Sequence, residues 1–531
     1  MRFADLHLHN HTGSLLWLRP NAKRHKAKDE YHPWTVISDS RKALEKARMG
    51  SAYSQADLVK AWNGKLRLSF NSLYPIEKGF FHTSLIGISG ENRYLKALTR
   101  ALSADQLPLR DVLHMFVQHV PDATIDHIQS GLYDYWNFLN EEYEFVCARD
   151  GKVTRNNIHT PFIWRQIFEN ERKRRRKYPD ELDATGKYVI PKNKAQLATC
   201  LTDDVMTMVL TIEGAHAFGV DIGVAERKAR IDHVRRTWTH PVFFVTFAHH
   251  FDNGLCGHAN SFPKIATYVM DQTPRKNQGF TSIGRTVIRH LLALNEQLDH
   301  DPDIGYRMLI DVKHMSATSR KQFYQDVVEP CLNKGDIIPV IASHCGFSGL
   351  TTLDQHIAAQ NDERDDHFDP SGRFNPWNIN VCQEDVRMIV RTGGLFGLSL
   401  DQRILGVHSD EKKAGGRNSI LAAWDNVRAV LDAAYSDPSL SAIEKPRIWQ
   451  CLSFGSDFGG WIDPINDYAT LLQYSRLRED LITAIQRDRA SAHPSPAVLH
   501  LDTSSKIHEA VEGLCYANAK DFVLRNYPVA T

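Results

Sequence analysis

The chain is 531 residues long, 42% hydrophobic and 24% charged, with 64 Lys and Arg against 63 Asp and Glu. That composition supplies an ample globular core, and the near-zero net charge gives no support to a nucleic-acid or acidic-membrane partner. No apolar run approaches the roughly 20 residues of a membrane span. The eight cysteines are scattered without a Cys-x-x-Cys pair, which reads as buried thiols in a reducing compartment rather than a disulfide framework.

The first strand-like segment, 2–9, begins almost at Met1 and ends Asp5-Leu-His7-Leu-His9. No signal peptide precedes it, so a cytoplasmic location is the expectation. Alternate residues of a strand share a face, which puts His7 and His9 on one side, about 7 Å apart along the chain. Two imidazoles at a strand end are well placed to hold a metal ion. Seven further apolar runs follow, at 65–74, 205–214, 242–248, 307–314, 337–344, 394–400 and 451–457. Each is of strand length and nearly continuous rather than alternating, the pattern of strands buried on both faces. Helical patterns lie between them, among them 319–332, 384–392 and 419–435. Eight strands with intervening helices predict an α/β fold, a (β/α)8 TIM barrel spanning 1–531 as one domain, with long insertions around 75–204 and 345–393. The loops after barrel strands form the catalytic face, so these insertions should roof the site. The polar stretch 361–376 reads as a flexible loop, and the basic run 171–177 as a solvated helix face.

Five of the eight runs end in metal-type or acidic residues: His7 and His9, Glu213, His314, His344 and Asp457. Side chains at the carboxyl ends of barrel strands converge on the axis, so these six can share one pocket. Four His, one Glu and one Asp suit a binuclear zinc hydrolase, whose two ions, about 3.5–4 Å apart, need a bridging carboxylate. Glu213 is the natural bridge, with His7 and His9 on the first ion and His314 and His344 on the second.

In their order along the chain these motifs resemble the membrane (renal) dipeptidase family, metallopeptidase family M19 of the amidohydrolase superfamily. The residues that carry the resemblance are Asp5–His9, Glu213-Gly-Ala-His216, Asp311-Val-Lys-His314-Met-Ser316, Ser343-His344 and Gly455-Ser-Asp457-Phe-Gly-Gly460. Supporting pieces are Leu68–Tyr74, Thr246-Phe-Ala-His249-His250-Phe-Asp-Asn253, Asn378-Ile-Asn380 leading into Asp385-Val-Arg387, and Tyr516-Ala-Asn518. The resemblance implies two divalent ions, zinc by ligand chemistry, with Asp457 as acid/base beside the first ion and His249 contacting the scissile group. It departs from the family in two places. The family's dipeptidases carry Asp where this chain has His9. The family's carboxylate-gripping Arg follows the strand-six histidine closely, whereas here an insertion intervenes and Arg373 is the candidate. His11, His216, His250 and His258 read as supporting residues, Asp5 and Asp311 as orienting ones, and Asp401 and His408 have no assigned role.

The expected chemistry is hydrolysis of a small amide, a dipeptide above all. Two cations sharing a water lower its pKa from about 16 toward about 7, and the resulting hydroxide attacks the carbonyl. Asp457 moves the proton, and His249 donates to the developing negative oxygen. Two alternatives stand: a phosphoesterase or other amidohydrolase-type enzyme on the same barrel, and a non-catalytic metal-binding barrel. Expected partners are a small substrate and no nucleic acid or membrane span, with a homodimer left open.

Overall fold

The computed structural model describes residues 1–37, 54–81, 121–159, 179–262, 270–359, 373–407 and 417–529. Its centre is a parallel sheet of eight strands in sequential order: β1 (Phe3–Leu8), β2 (Leu66–Leu73), β3 (Met206–Glu213), β4 (Val242–Thr246), β5 (Leu309–Asp311), β6 (Ile341–Cys345), β7 (Leu395–Leu398) and β8 (Leu452–Phe454). A two-residue strand, Tyr188–Val189, extends the ladder beside the start of β3. The circle closes just beyond the strand ends. Asp457 N donates to His7 O at 3.0 Å, and His9 N donates to Phe458 O at 2.9 Å. This is a (β/α)8 barrel, and each of the eight apolar runs of the sequence overlaps one of its strands, that at 337–344 falling one residue short of Cys345.

The runs are continuous because both strand faces are buried. Ala4, Leu6, Leu68, Phe70, Val209, Phe244, Leu309, Ile341 and Leu395 pack into one cluster. Their strand neighbours Phe3, Leu8, Leu66, Met206, Met208 and Leu210 pack into another. In β3 adjacent residues divide between the two, Val209 in one and Met208 with Leu210 in the other, and the polar strand residues Asp5, His7, Ser69 and Asn71 are buried as well, so neither face is left to water. The barrel is tight where β6, β7 and β8 meet. A Cβ on Gly397 or on Gly455 would lie 1.8 Å from Ser343 O, so only glycine admits that carbonyl.

The helical readings hold with shifted ends. Helix α1 (Gln383–Thr392) starts where the Asp385 carboxylate accepts from Cys382 N at 2.9 Å, and stops at Gly393 in the left-handed region, φ 61°. Helix α2 is Ile420–Ser436. The 319–332 pattern is Ala317–Phe323 and Glu329–Asn333 joined through a π-helical turn at Tyr324–Val328. Helix α3 (Tyr474–Arg489) packs beside β1, where Tyr474 Oη meets Asp5 Oδ2 at 2.5 Å. Phe522 and Val523 of α4 (Asn518–Asn526) join the cluster of Ala4 and Leu6. The basic run 171–177 lies outside the described residues, as do 361–372 of the polar loop. No helix of the described residues is long and apolar enough to cross a membrane. All eight cysteines are unpaired.

Candidate metal centre and active site

Glu213, the last residue of β3, stands at the centre of five imidazoles. Its Oε1 lies 3.2 Å from His7 Nε2, 3.4 Å from His249 Nε2, 3.5 Å from His344 Nε2 and 3.6 Å from His314 Nε2. Its Oε2 lies 3.0 Å from His9 Nε2. Asp457 faces the same group, with Oδ1 3.8 Å from His7 Nε2 and 3.9 Å from His9 Nε2, and Oδ2 4.0 Å from His344 Nε2. The six residues read from the strand ends thus meet at one point, and His249 joins them.

Local backbone geometry aims these groups. The β1–β2 register shifts between Asp5 and Leu8, and the His7 and His9 rings come within 5.2 Å of each other. His314 and Asp457 sit in the left-handed region at φ 65° and 63°. That region is costly for residues with a Cβ, and such residues cluster where surrounding structure demands a particular side-chain direction.

The hydrogen bonds behind the ligands fix which nitrogen faces the centre. His9 Nδ1 lies 3.0 Å from the Ser72 carbonyl. A carbonyl only accepts, so Nδ1 carries the proton and Nε2 presents a lone pair. Ser343 Oγ donates to Asp311 Oδ2 at 2.6 Å and lies 2.8 Å from His344 Nδ1, which again leaves Nε2 inward. Asp311 also accepts from Thr246 Oγ1 at 2.6 Å, so one buried carboxylate ties β4, β5 and β6 below the ligands. Asp5 does the same between β1 and β8, accepting from Ser456 N at 3.0 Å and His7 N at 3.2 Å. Orientation of ligating histidines by such outer partners is a general property of metal sites.

This donor set fits divalent ions. Among the described residues, His7 Nε2 and His9 Nε2 are buried without hydrogen-bond partners, and the His9 lone pair confronts a carboxylate oxygen. Two facing acceptors at 3.0 Å call for a cation between them. His314 Nε2 and His344 Nε2 are 3.2 Å apart, close to the roughly 3.3 Å edge of a tetrahedron with Zn–N bonds of about 2.0–2.1 Å. One ligand atom from each of His7, Glu213, His344 and Asp457 falls within a 4.8 Å group, and likewise for His249, His250 and His314. A third such group, His25, Glu30 and His159, lies on other elements.

Charge states follow from burial. His314, His344 and His250 are driven well below the usual histidine range, burial being the largest cause. Neutral imidazole is the form that ligates. Burial also works against a charged His249, but Glu77 and Glu213 outweigh it and raise its pKa to about 10. Burial and the Glu213 charge together push Asp457 well above the ordinary carboxylate range.

The pocket over the centre is lined by Glu213, His249, His314, His344 and Asp457 below, and by Tyr74, Phe80, Phe262, Trp377 and Trp461 around it. Asp401, Arg403 and Lys313 also face it. Arg373 is exposed and is not among the lining residues; its carbonyl accepts from Arg417 Nη2 at 2.5 Å. Asp401 pairs with Arg403, whose Nε lies 3.0 and 3.1 Å from its two carboxylate oxygens. His408 lies outside the described residues.

His11, His216, His250 and His258 have protein partners. His11 Nε2 meets Glu142 Oε1 at 2.7 Å, His216 Nε2 meets Pro75 O at 2.7 Å, and His250 Nδ1 meets Ser261 Oγ at 2.6 Å. Both ring nitrogens of His258 face backbone carbonyls, at 3.1 and 3.0 Å. Sequence reasoning missed Glu77, which is buried and holds His249 Nδ1 at 2.5 Å while accepting from Phe251 N at 3.2 Å. Only the Pro75-Ile-Glu77 step after an apolar strand hinted at it.

No protein-family model matches the chain, and no curated protein matches it. Among solved structures it is similar to a metallopeptidase from Rhodobacter sphaeroides liganded with a phosphinate mimic of the dipeptide L-Ala-D-Ala. That pair shares 14% identity and a TM-score of 0.47, covering 99% of each chain. It is also similar to a dipeptidase of metallopeptidase family M19, at 13% identity and a TM-score of 0.45 over 93% of this chain and 97% of that one. A third is a probable dipeptidase, PvdM, from Pseudomonas aeruginosa, at 12% identity and a TM-score of 0.43 over 94% and 98%.

Proposed function

We propose that the protein is a metal-dependent hydrolase that cleaves a small amide, a dipeptide or similar compound, at a centre for two divalent ions. The observation that carries this reading is the position of Glu213, whose two oxygens reach different sets of inward imidazole nitrogens. His7, His9 and Asp457 would hold one ion and His314 with His344 the other, with Glu213 shared. Bound there, two divalent ions supply Lewis acidity and a water that ionises near neutral pH.

The chain's own residues supply the rest. Asp457, within 4.0 Å of three ligand nitrogens, is placed to accept a proton from the attacking water and return it to the leaving amine. His249, gripped by Glu77, presents Nε2 beside Glu213 and can donate to the carbonyl oxygen as negative charge develops. The aromatic wall of Tyr74, Phe80, Phe262, Trp377 and Trp461 narrows the pocket and limits water. Such a pocket admits a small amide and excludes a folded polypeptide.

Elemental analysis of the purified chain, combined with a hydrolysis panel of small dipeptides, tests this reading. Two ions per chain with dipeptide turnover is the expected result. Bound metal without turnover on any amide would contradict the amide reading.

A further inference from the structure

Lys313 is the residue between Val312 and the inward His314. It is 1% exposed, and its Nζ has no hydrogen-bond partner among the described residues. Among the described residues, three other buried cations have a carboxylate partner, and a fourth, Arg227, reaches backbone carbonyls but does not line the pocket. Lys60 pairs with Asp57, Arg320 Nε lies 3.1 Å from Asp385, and Arg235 Nη1 lies 2.9 Å from Asp232. Arg403, across the pocket, is spent on Asp401. Lys313 lines the pocket instead, beside His344 and Asp457, and its charge acts on both of them.

A buried, unpaired ammonium is costly to a fold unless a partner of opposite charge arrives. The charge count of the pocket points the same way. The centre offers five imidazoles but only Glu213 and Asp457 as carboxylates, so two divalent ions and Lys313 would leave a net positive cavity. An anionic group on the substrate restores balance.

We propose that Lys313 is the anion-binding residue of this pocket, taking a carboxylate or phosphate group carried by the substrate close to the scissile bond. This rests on the hydrolase reading for the word substrate, but the binding claim stands apart from turnover. It also separates Lys313 from a structural lysine. A lysine kept for the fold would make the chain less stable when replaced, whereas removal of an uncompensated charge leaves stability unchanged or raises it.

The test uses the full chain with its metal content measured in every sample. N-acetylalanine, N-acetylalanine amide and inorganic phosphate are titrated in turn, read by fluorescence of the pocket tryptophans and by calorimetry. Lys313→Met and Lys313→Gln should weaken the carboxylate or the phosphate ligand by about 10- to 100-fold, the worth of a charge-assisted hydrogen bond. The amide ligand should change by less than about 2-fold, metal content should hold, and Lys313→Arg should recover part of the loss. Loss confined to N-acetylalanine assigns a carboxylate, and loss confined to phosphate assigns a phosphoryl group. Equal loss for the amide, unchanged anion affinity, or a marked fall in melting temperature in both neutral variants would overturn the proposal. If no amide is cleaved while anion binding still depends on Lys313, the reaction reading fails and this one stands.

Discussion

His9 Nε2 and Glu213 Oε2 face each other at 3.0 Å, while the opposite ring nitrogen of His9 is committed to the Ser72 carbonyl. Both facing atoms are hydrogen-bond acceptors in that arrangement, and both are buried. The contact makes chemical sense as two ligands of one cation. Glu213→Ala is therefore expected to lose both ions or leave one weakly held, because its second oxygen serves the other imidazoles. Elemental analysis of the purified variant checks this, and full metal content would remove Glu213 as a bridge.

Asp457 is expected to move the proton between water and leaving amine. Asp457→Asn should then lower kcat by about 10²–10⁴-fold. Because the side chain also approaches His7 and His9, metal content must be measured in the same samples. Unchanged turnover with intact metal would exclude the role.

Glu77 reaches the centre through His249, whose Nδ1 it holds, and its other oxygen lies 3.9 Å from His216 Nδ1. Replacing it with Ala should free the His249 ring and lower kcat/KM by about 10- to 100-fold, the usual effect of losing an outer partner. Steady-state kinetics on the best dipeptide reads this, and His249→Ala in the same background should add little further loss. Additive losses would show that Glu77 does not work through His249.

Asp5 is wholly buried and accepts from Ser456, Tyr474 and the His7 backbone. Asp5→Ala strands those donors at the closure between β1 and β8. A loss of about 2–4 kcal/mol is expected, read as a lower denaturation midpoint. A midpoint equal to that of the parent would show that this closure is held by other contacts.

Acid should destabilise the chain through histidines outside the site. Burial and the neighbouring Arg149 lower the pKa of His32 to about 4, against the opposing pull of Asp29 and Glu30. Its unfolded value is about 6.5, so between pH 6.5 and 4 the unfolded chain binds a proton that the folded chain does not. Stability is then full above about pH 6.5 and falls as pH drops toward 4. His356, buried with neither ring nitrogen partnered among the described residues and lowered by burial and Arg320, acts in the same direction. His32→Asn should flatten the pH dependence of the denaturation midpoint across that window. An unchanged slope would clear His32 of the effect.

The barrel was legible because burial on both faces writes a strand as one unbroken apolar run, as at 205–214 and 242–248. The inward residues were legible because each ends such a run. Glu77 was not, since it reaches His249 across 172 positions and sits in a segment without periodicity. Lys313 and Arg403 were hidden for a related reason. Only the closed barrel shows that a lysine beside His314 is buried and that Arg403 reaches the pocket, while Arg373 stays exposed.

Anomalous diffraction from crystals of the full chain, collected at the absorption edge of the metal found by elemental analysis, tests the central claim most directly. Two peaks are expected, one on each side of the Glu213 carboxylate, the first against His7 and His9 and the second against His314 and His344. Absence of any peak at Glu213 in metal-replete crystals, or a single peak that leaves either histidine pair without an ion, would contradict a two-ion centre.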